Sequence, residues 1–214
     1  MSASLHFIGM MSFVGLLFSC QLKEAERAIT QTITTRQSDA CDNPDADIHC
    51  CFANMPNLLT SVMNIPNSDA GAEKLIISGT IYKKDGKTPI PGVILYAYHT
   101  NTKGEYSKKG TEKGVQKWHG SHHGWCKTDA NGKYRIETIR PASYPGNTTP
   151  AHIHAAVKLP DNPNPFYITD FMFKDDPLLP KAEQNRFSYQ GGSGIVAVQK
   201  VNNVWIGKRD LVLN

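Results

Sequence analysis

The sequence predicts an all-β protein: an antiparallel β-sandwich behind a loop-rich N-terminal extension that disulfides could staple to it. Three observations carry this. From Leu75 onward, short β-branched and aromatic runs alternate with clusters of Gly, Pro, Asn and Asp, the rhythm of strands and tight turns. No helical period of comparable strength appears after residue 75. Roughly 140 residues are enough to close two sheets over one core.

Taken in order, residues 1–19 read as a lipoprotein-type signal peptide. Phe7 to Phe18 is apolar but too short to span a bilayer, which takes about 20 residues. The run ends Leu17-Phe18-Ser19-Cys20, which resembles a bacterial lipoprotein signal with Cys20 as the lipidated residue. That implies export, either as a cell-envelope lipoprotein or to the periplasm or exterior, with membrane contact only through the lipid anchor. No Lys or Arg precedes the apolar run, which leaves an N-terminal helix as the plainer alternative.

Residues 20–74 read as a tether followed by a Cys-containing extension, with Pro44, Pro56, Pro66 and Gly71 punctuating it too often for regular elements. Besides Cys20, the cysteines are Cys41, Cys50, Cys51 and Cys126. In an exported protein an even count allows two disulfides. Adjacent Cys50 and Cys51 make poor partners for each other, so one is expected to join Cys41 and the other Cys126. Free thiols are the plainer reading.

The domain from 75 to 214 begins with a strand over Leu75–Tyr82, a turn-dense loop from Lys84 to Gly92, and a strand over Val93–His99. Further strands are expected at Lys133–Thr138, His152–Leu159, Phe166–Phe173 and Ile195–Val201. Asn202-Asn203 suits a tight hairpin into Val204–Ile206. Hydrophobic residues at 40% and charged ones at 20% of the 214 are ordinary globular values. The net charge of +4 is spread thinly, and no basic stripe interleaved with aromatics points to nucleic acid. Lys103, Lys108, Lys109, Lys113 and Lys117 concentrate positive charge locally, which reads as a solvated loop before it reads as a surface attracting anions.

Chemistry gathers between Ser143 and His154. His152 and His154 stand two apart in a strand, so both imidazoles project from one face and can converge on one ion. Such a pair alone fits zinc, copper, nickel or iron, or a hydrogen-bonded core histidine. Tyr144, behind a Pro-Gly turn, can offer a phenol oxygen to the same point. A phenolate is a hard donor that suits ferric iron, and no nearby Cys or acidic residue completes an ordinary zinc site.

Several phrases then fall in order: Pro89-Ile90-Pro91-Gly92-Val93, Gly104-Glu105-Tyr106-Ser107, Gly124-Trp125-Cys126-Lys127-Thr128-Asp129, Thr138-Ile139-Arg140-Pro141, Tyr144-Pro145-Gly146 and Pro150-Ala151-His152-Ile153-His154. Together they resemble the intradiol ring-cleavage dioxygenases, the catechol and protocatechuate dioxygenase-like enzymes, in a secreted or lipoprotein bacterial branch. The resemblance spans most of residues 75–177. It implies that Tyr106, Tyr144, His152 and His154 hold one Fe(III). It also implies that Tyr144 is the catalytic ligand, displaced when a catechol chelates the metal and then acting as base. The expected substrates are an aromatic diol and O2, and the expected product is a muconate-type diacid.

One departure bears on turnover. Better-known members of that family carry an Arg immediately before Pro-Ala-His-Ile-His, where this chain has Thr149. Arg140 is the candidate to supply the missing charge. His123 reads equally as a surface or a pocket residue, and Asp170 reads more plainly as an exposed strand carboxylate than as a group facing the site. The alternative to an enzyme is a non-catalytic envelope β-sandwich that keeps the fold, with or without the metal, as a binding module. Thr149 favours that alternative, and the intact quartet of ligands favours the enzyme.

Overall fold

The computed structural model describes residues 22–31, 40–66, 69–146, 149–179 and 190–214. The apolar stretch Phe7–Phe18 and the lipidation candidate Cys20 lie outside the described residues. The chain divides into two units, Met1–Ala40 and Cys41–Asn214. In the first, residues 22–31 form an exposed helix. Among the described residues no helix is long and apolar enough to cross a membrane.

The second unit is a two-sheet sandwich. Its strands are β1 (Val62–Asn64), β2 (Lys74–Tyr82), β3 (Ile94–His99), β4 (His123–Lys127), β5 (Lys133–Ile139), β6 (His152–Lys158), β7 (Phe166–Phe173), β8 (Ile195–Val196), β9 (Val198–Val201), β10 (Val204–Lys208) and β11 (Leu211–Val212). One sheet runs β1-β5-β2-β10-β9, with β11 also on β2, and the other runs β4-β3-β6-β7-β8. The central pairings are antiparallel, as expected. Other pairings are parallel: β1 on β5, β10 and β11 on β2, and β8 on β7. No hairpin joins the two members of any of these pairs, so they are free to take either direction.

The expected strand over Ile195–Val201 is interrupted at Ala197, where the chain changes sheets from β8 to β9. Asn202 and Asn203 then take φ of 47° and 64°, the left-handed conformations of a tight hairpin turn. Alternation sets the core. Leu75, Ile77 and Ile81 of β2 meet Leu95 of β3, Ile153 and Val157 of β6, and Phe171 and Phe173 of β7, all fully buried. Each such side chain contributes about 1.5–3 kcal/mol of hydrophobic stabilisation.

A second cluster covers the outer face of the β3–β4–β6 region. Tyr96 and Ala156 point outward there and are roofed by Cys41, Cys50, Cys51 and Phe52 of the extension. Cys41 and Cys50 form a disulfide, as expected for one of the pairs. The second expected disulfide, from Cys51 to Cys126, is absent, and both thiols are free and buried. The reason is strand alternation. The indole N–H of Trp125 donates to the Cys51 carbonyl at 2.8 Å, which places Cys51 over the outer face, while the next residue, Cys126, points into the sandwich. Burial pushes the Cys51 thiol up to about 11 and the Cys126 thiol up to about 12.

Candidate metal centre

β6 presents His152 and His154 on the outer face, with Ile153 between them fully buried in the core. The loop after β3 brings Tyr106 and the loop after β5 brings Tyr144. One side chain ties these loops together. Asn101 Oδ1 accepts the backbone N–H groups of Lys103 (2.8 Å) and Glu105 (2.9 Å), and its Nδ2 donates to Ser107 Oγ at 2.7 Å. Its carbonyl accepts Ala142 N–H from the other loop at 3.1 Å. Gly104, at φ +79°, lets the backbones meet, because a Cβ there would stand 1.9 Å from the Ser143 carbonyl oxygen.

The four expected ligand residues converge. Tyr106 Oη and Tyr144 Oη are 2.6 Å apart, and each lies 3.1 Å from His154 Nε2. His152 Nε2 lies 3.3 Å from Tyr144 Oη and 3.1 Å from His154 Nε2. Tautomers follow from the other ring nitrogens. His152 Nδ1 donates to the Pro150 carbonyl at 2.7 Å, and His154 Nδ1 donates to the Asp170 carboxylate at 3.1 Å. Both Nε2 atoms therefore present lone pairs to the shared point.

That arrangement is the test of fit for a metal. Five contacts join the four donor atoms, and only the two phenols bring protons to them. With both Nδ1 atoms donating, the contact between the two neutral Nε2 atoms has no proton, and a cation at the centre of the cluster would relieve its lone-pair repulsion. Atoms bound at about 2 Å to one ion sit about 2.8–3.4 Å from each other, close to the separations seen. Two neutral imidazoles and two hard phenol oxygens suit Fe(III). Burial raises the Tyr106 phenol, reinforced by its hydrogen bond to Tyr144, so without a cation this oxygen keeps its proton. Burial also lowers His152, favouring the neutral imidazole that a metal takes.

Other candidates resolve differently. Arg140 does not serve this cluster. Its guanidinium makes two hydrogen bonds to Asp175, at 2.8 and 2.9 Å, and stacks over Trp205 at 4.4 Å. It follows β5, and its side chain packs on Trp205 of β10 and Phe173 of β7. Asp170, expected as an exposed strand carboxylate, instead touches His154, and His152, His154 and Asp170 together form a possible metal-holding group. His123 is half-buried, donates from Nδ1 to the Gly120 carbonyl at 2.6 Å, and lines a cavity of 420 Å³ with Trp125 and Gln116. The five lysines between 103 and 117 are exposed, and Lys117 pairs with Asp42. Thr149 is half-buried and brings no charge.

The sequence reading missed Tyr98 and Asn101. Tyr98 stacks on His154 with ring centroids 4.7 Å apart and on His119 with centroids 3.7 Å apart, so the His154 imidazole rests against an aromatic wall. Alternation along β3 places Tyr98 on the same face as Tyr96, and that signal was present. Nothing in the local pattern marks Asn101.

Comparison with known proteins agrees with this geometry. A dioxygenase family model matches residues 51–186. Over 77 residues the chain is 42% identical to catechol 1,2-dioxygenase of Acinetobacter baylyi, covering 36% of this chain and 24% of that protein. Over 123 residues it is 30% identical to the protocatechuate 3,4-dioxygenase beta chain of Burkholderia cepacia, covering 54% and 51%. These matches thus span a quarter to a half of the relatives' own length. The dioxygenase domain of a dioxygenase carbohydrate-binding protein fusion from Streptomyces sp. SirexAA-E shares the fold, with a TM-score of 0.53 and 24% identity over 71% of this chain and 86% of that one. The family match takes in more than half of the sequence and contains all four converging residues, and on that ground the chain belongs to the intradiol dioxygenase family.

Proposed function

We propose that this protein is a non-haem iron(III) dioxygenase that opens a catechol-type diol between its two hydroxyl-bearing carbons, yielding a muconate-type diacid that contains both atoms of O2. The observation that carries this reading is the convergence of Tyr106, Tyr144, His152 and His154, two of them phenols. When bound, Fe(III) supplies Lewis acidity that draws electron density from both phenolates and from a chelating diol.

The protein's part is to hold three ligands and release one. Asn101 and Gly104 pin the Tyr106 loop, and Pro150 and Asp170 pin the two imidazoles. Tyr144 is held less. Pro145 and Gly146 beside it are exposed, and nothing lies within 4 Å of where a Gly146 side chain would stand. Tyr144 Oη is the donor that would accept one of the two protons that the diol gives up. Tyr98 and His119 close one side of the site with stacked rings, which limits water there.

A second reading, a metal-holding sandwich without turnover, draws on Thr149 standing where family members carry Arg and on Arg140 being engaged by Asp175. One experiment separates the two: load the protein with Fe(III), record the visible phenolate-to-iron band, then add catechols anaerobically and finally admit O2. A band that shifts with catechol, followed by diacid release, supports the dioxygenase. A shifting band with no O2 uptake across a panel of diols supports the binding module. No band at all removes the site.

We propose in addition that the protein is exported and lipidated at Cys20. The Cys41–Cys50 disulfide supports an oxidising compartment. Incorporation of labelled fatty acid that Cys20→Ser fails to abolish would refute the lipidation.

A further inference from the structure

Asp170 has a role that the four-ligand description leaves out, and the inference rests on the iron(III) reading above. β6 and β7 pair in register at Ile153↔Phe171 and again at Ala155↔Ile168, so one residue of β6, His154, faces two of β7, Thr169 and Asp170. This is a β-bulge. Strict alternation from core-facing Phe171 would send Asp170 outward and Ile168 outward with it. The extra residue Thr169 lets Ile168 return to the core, where it is buried, while Asp170 stays on the face of His154.

The bulge is clamped from behind. Arg209, buried and over the Phe171 ring at 4.1 Å, donates from Nη2 to the carbonyls of Thr169 (2.9 Å) and Gly191 (3.3 Å). Thr169 N–H turns away from β6 to the Gln190 carbonyl at 3.0 Å. Gly194, at φ +79°, fits under the bulge where a Cβ would stand 2.3 Å from the Asp170 carbonyl oxygen. Several groups thus hold one carboxylate in one place.

We propose that Asp170 is a positioning residue that selects Nε2 of His154 as the metal-facing nitrogen and strengthens that imidazole as a donor. Its Oδ1 accepts the Nδ1–H hydrogen bond on the far side of the ring from the cluster, so it acts through His154 and is not itself a ligand. A carboxylate acceptor makes an imidazole a stronger donor than a neutral acceptor does. The two histidines are therefore unequal: His152 leans on the Pro150 carbonyl and His154 on a charged group. Tyr98 stacking at 4.7 Å fixes the plane of the ring, and Asp170 fixes which edge of it faces the site.

The test is equilibrium competition for Fe(III) against a chelator, together with the position of the visible band, in the full-length wild type, Asp170→Asn and Asp170→Ala. Asp170→Ala should lose about 10- to 100-fold in iron affinity. Asp170→Asn keeps an acceptor oxygen and should lose less. In both variants the band should move to lower energy, because a weaker imidazole donor leaves the iron more electron-poor. A purely structural role would lower stability and leave the band where it is. Asp170→Ala with wild-type affinity and band position overturns the inference alone, and a wild type with no band removes the iron reading and this inference with it.

Discussion

Replacing Gly104 with Ala tests whether the approach of two loops builds the metal centre. The new Cβ would lie 1.9 Å from the Ser143 carbonyl oxygen and 3.1 Å from Tyr144 Cα. Ordinary contact begins at 3.4 Å, so the Tyr106 and Tyr144 loops must part by about 1.5 Å. Metal bonds tolerate only about 0.2 Å, so one phenolate leaves the coordination sphere. The left-handed φ adds a cost of roughly 1–2 kcal/mol to any residue with a side chain. Expected results are a charge-transfer band with about half the intensity per bound iron, one phenolate in two being lost, and turnover lower by about 100-fold or more. Gly146→Ala is the control: at φ +100° it carries similar backbone strain, but nothing lies within 4 Å of the new methyl group. The readouts are chelator competition and absorbance per iron. A Gly104→Ala protein that matches Gly146→Ala in both would refute the account of how the two tyrosines are brought together.

Arg140→Ala should leave the iron band and affinity unchanged and cost about 1 kcal/mol of stability, the pair with Asp175 being partly exposed; a tenfold loss of turnover with iron binding intact would return Arg140 to the site. Removing the Cys41–Cys50 disulfide by paired Ser substitutions frees a closed loop with a separation of 9 residues and should cost about 2–3 kcal/mol, read from urea midpoints, with an unchanged midpoint contradicting the stapling role. Burial pulls His99 down to about 3, with both ring nitrogens already engaged by the Thr100 carbonyl and Thr138 Oγ1. The folded state therefore refuses a proton that the unfolded chain accepts below about pH 6.5, so stability is full above that pH and falls by up to about 1.4 kcal/mol per unit toward pH 3. His99→Gln should flatten that slope, and identical slopes in the two proteins would count against it.

Legibility followed physical locality. The strands that alternate strongly, such as β2 and β5, were readable because each carries its own period of two. β1, β4 and β11 were not, because a segment such as Val62-Met63-Asn64 becomes a strand only through its partner on β5. The quartet Tyr106, Tyr144, His152 and His154 was legible through the ordered motifs around it, which encode the convergence that spacing alone does not. Asp170 read as an exposed carboxylate because nothing in the sequence of its own strand shows that His154 of β6 lies opposite it. Arg140 looked available because nothing in the order of residues shows that Asp175 and Trp205 would claim it. Cys126 was paired on paper with a cysteine that the fold sets on the other side of a sheet.

On the proposed reading, the four converging residues would also work as a cross-link. Tyr106 and His154 are 48 residues apart in sequence and their donor atoms 3.1 Å apart in space, so an ion held between them closes a loop longer than that of the Cys41–Cys50 bridge. Closing longer loops removes more freedom from the unfolded chain, and binding confined to the folded state raises stability further with free iron concentration. Metal loading would thereby be coupled to protease resistance, since the bridged chain includes parts of the two loops joined by Asn101. Cleavage between residues 100 and 150 would report iron occupancy without any substrate at all.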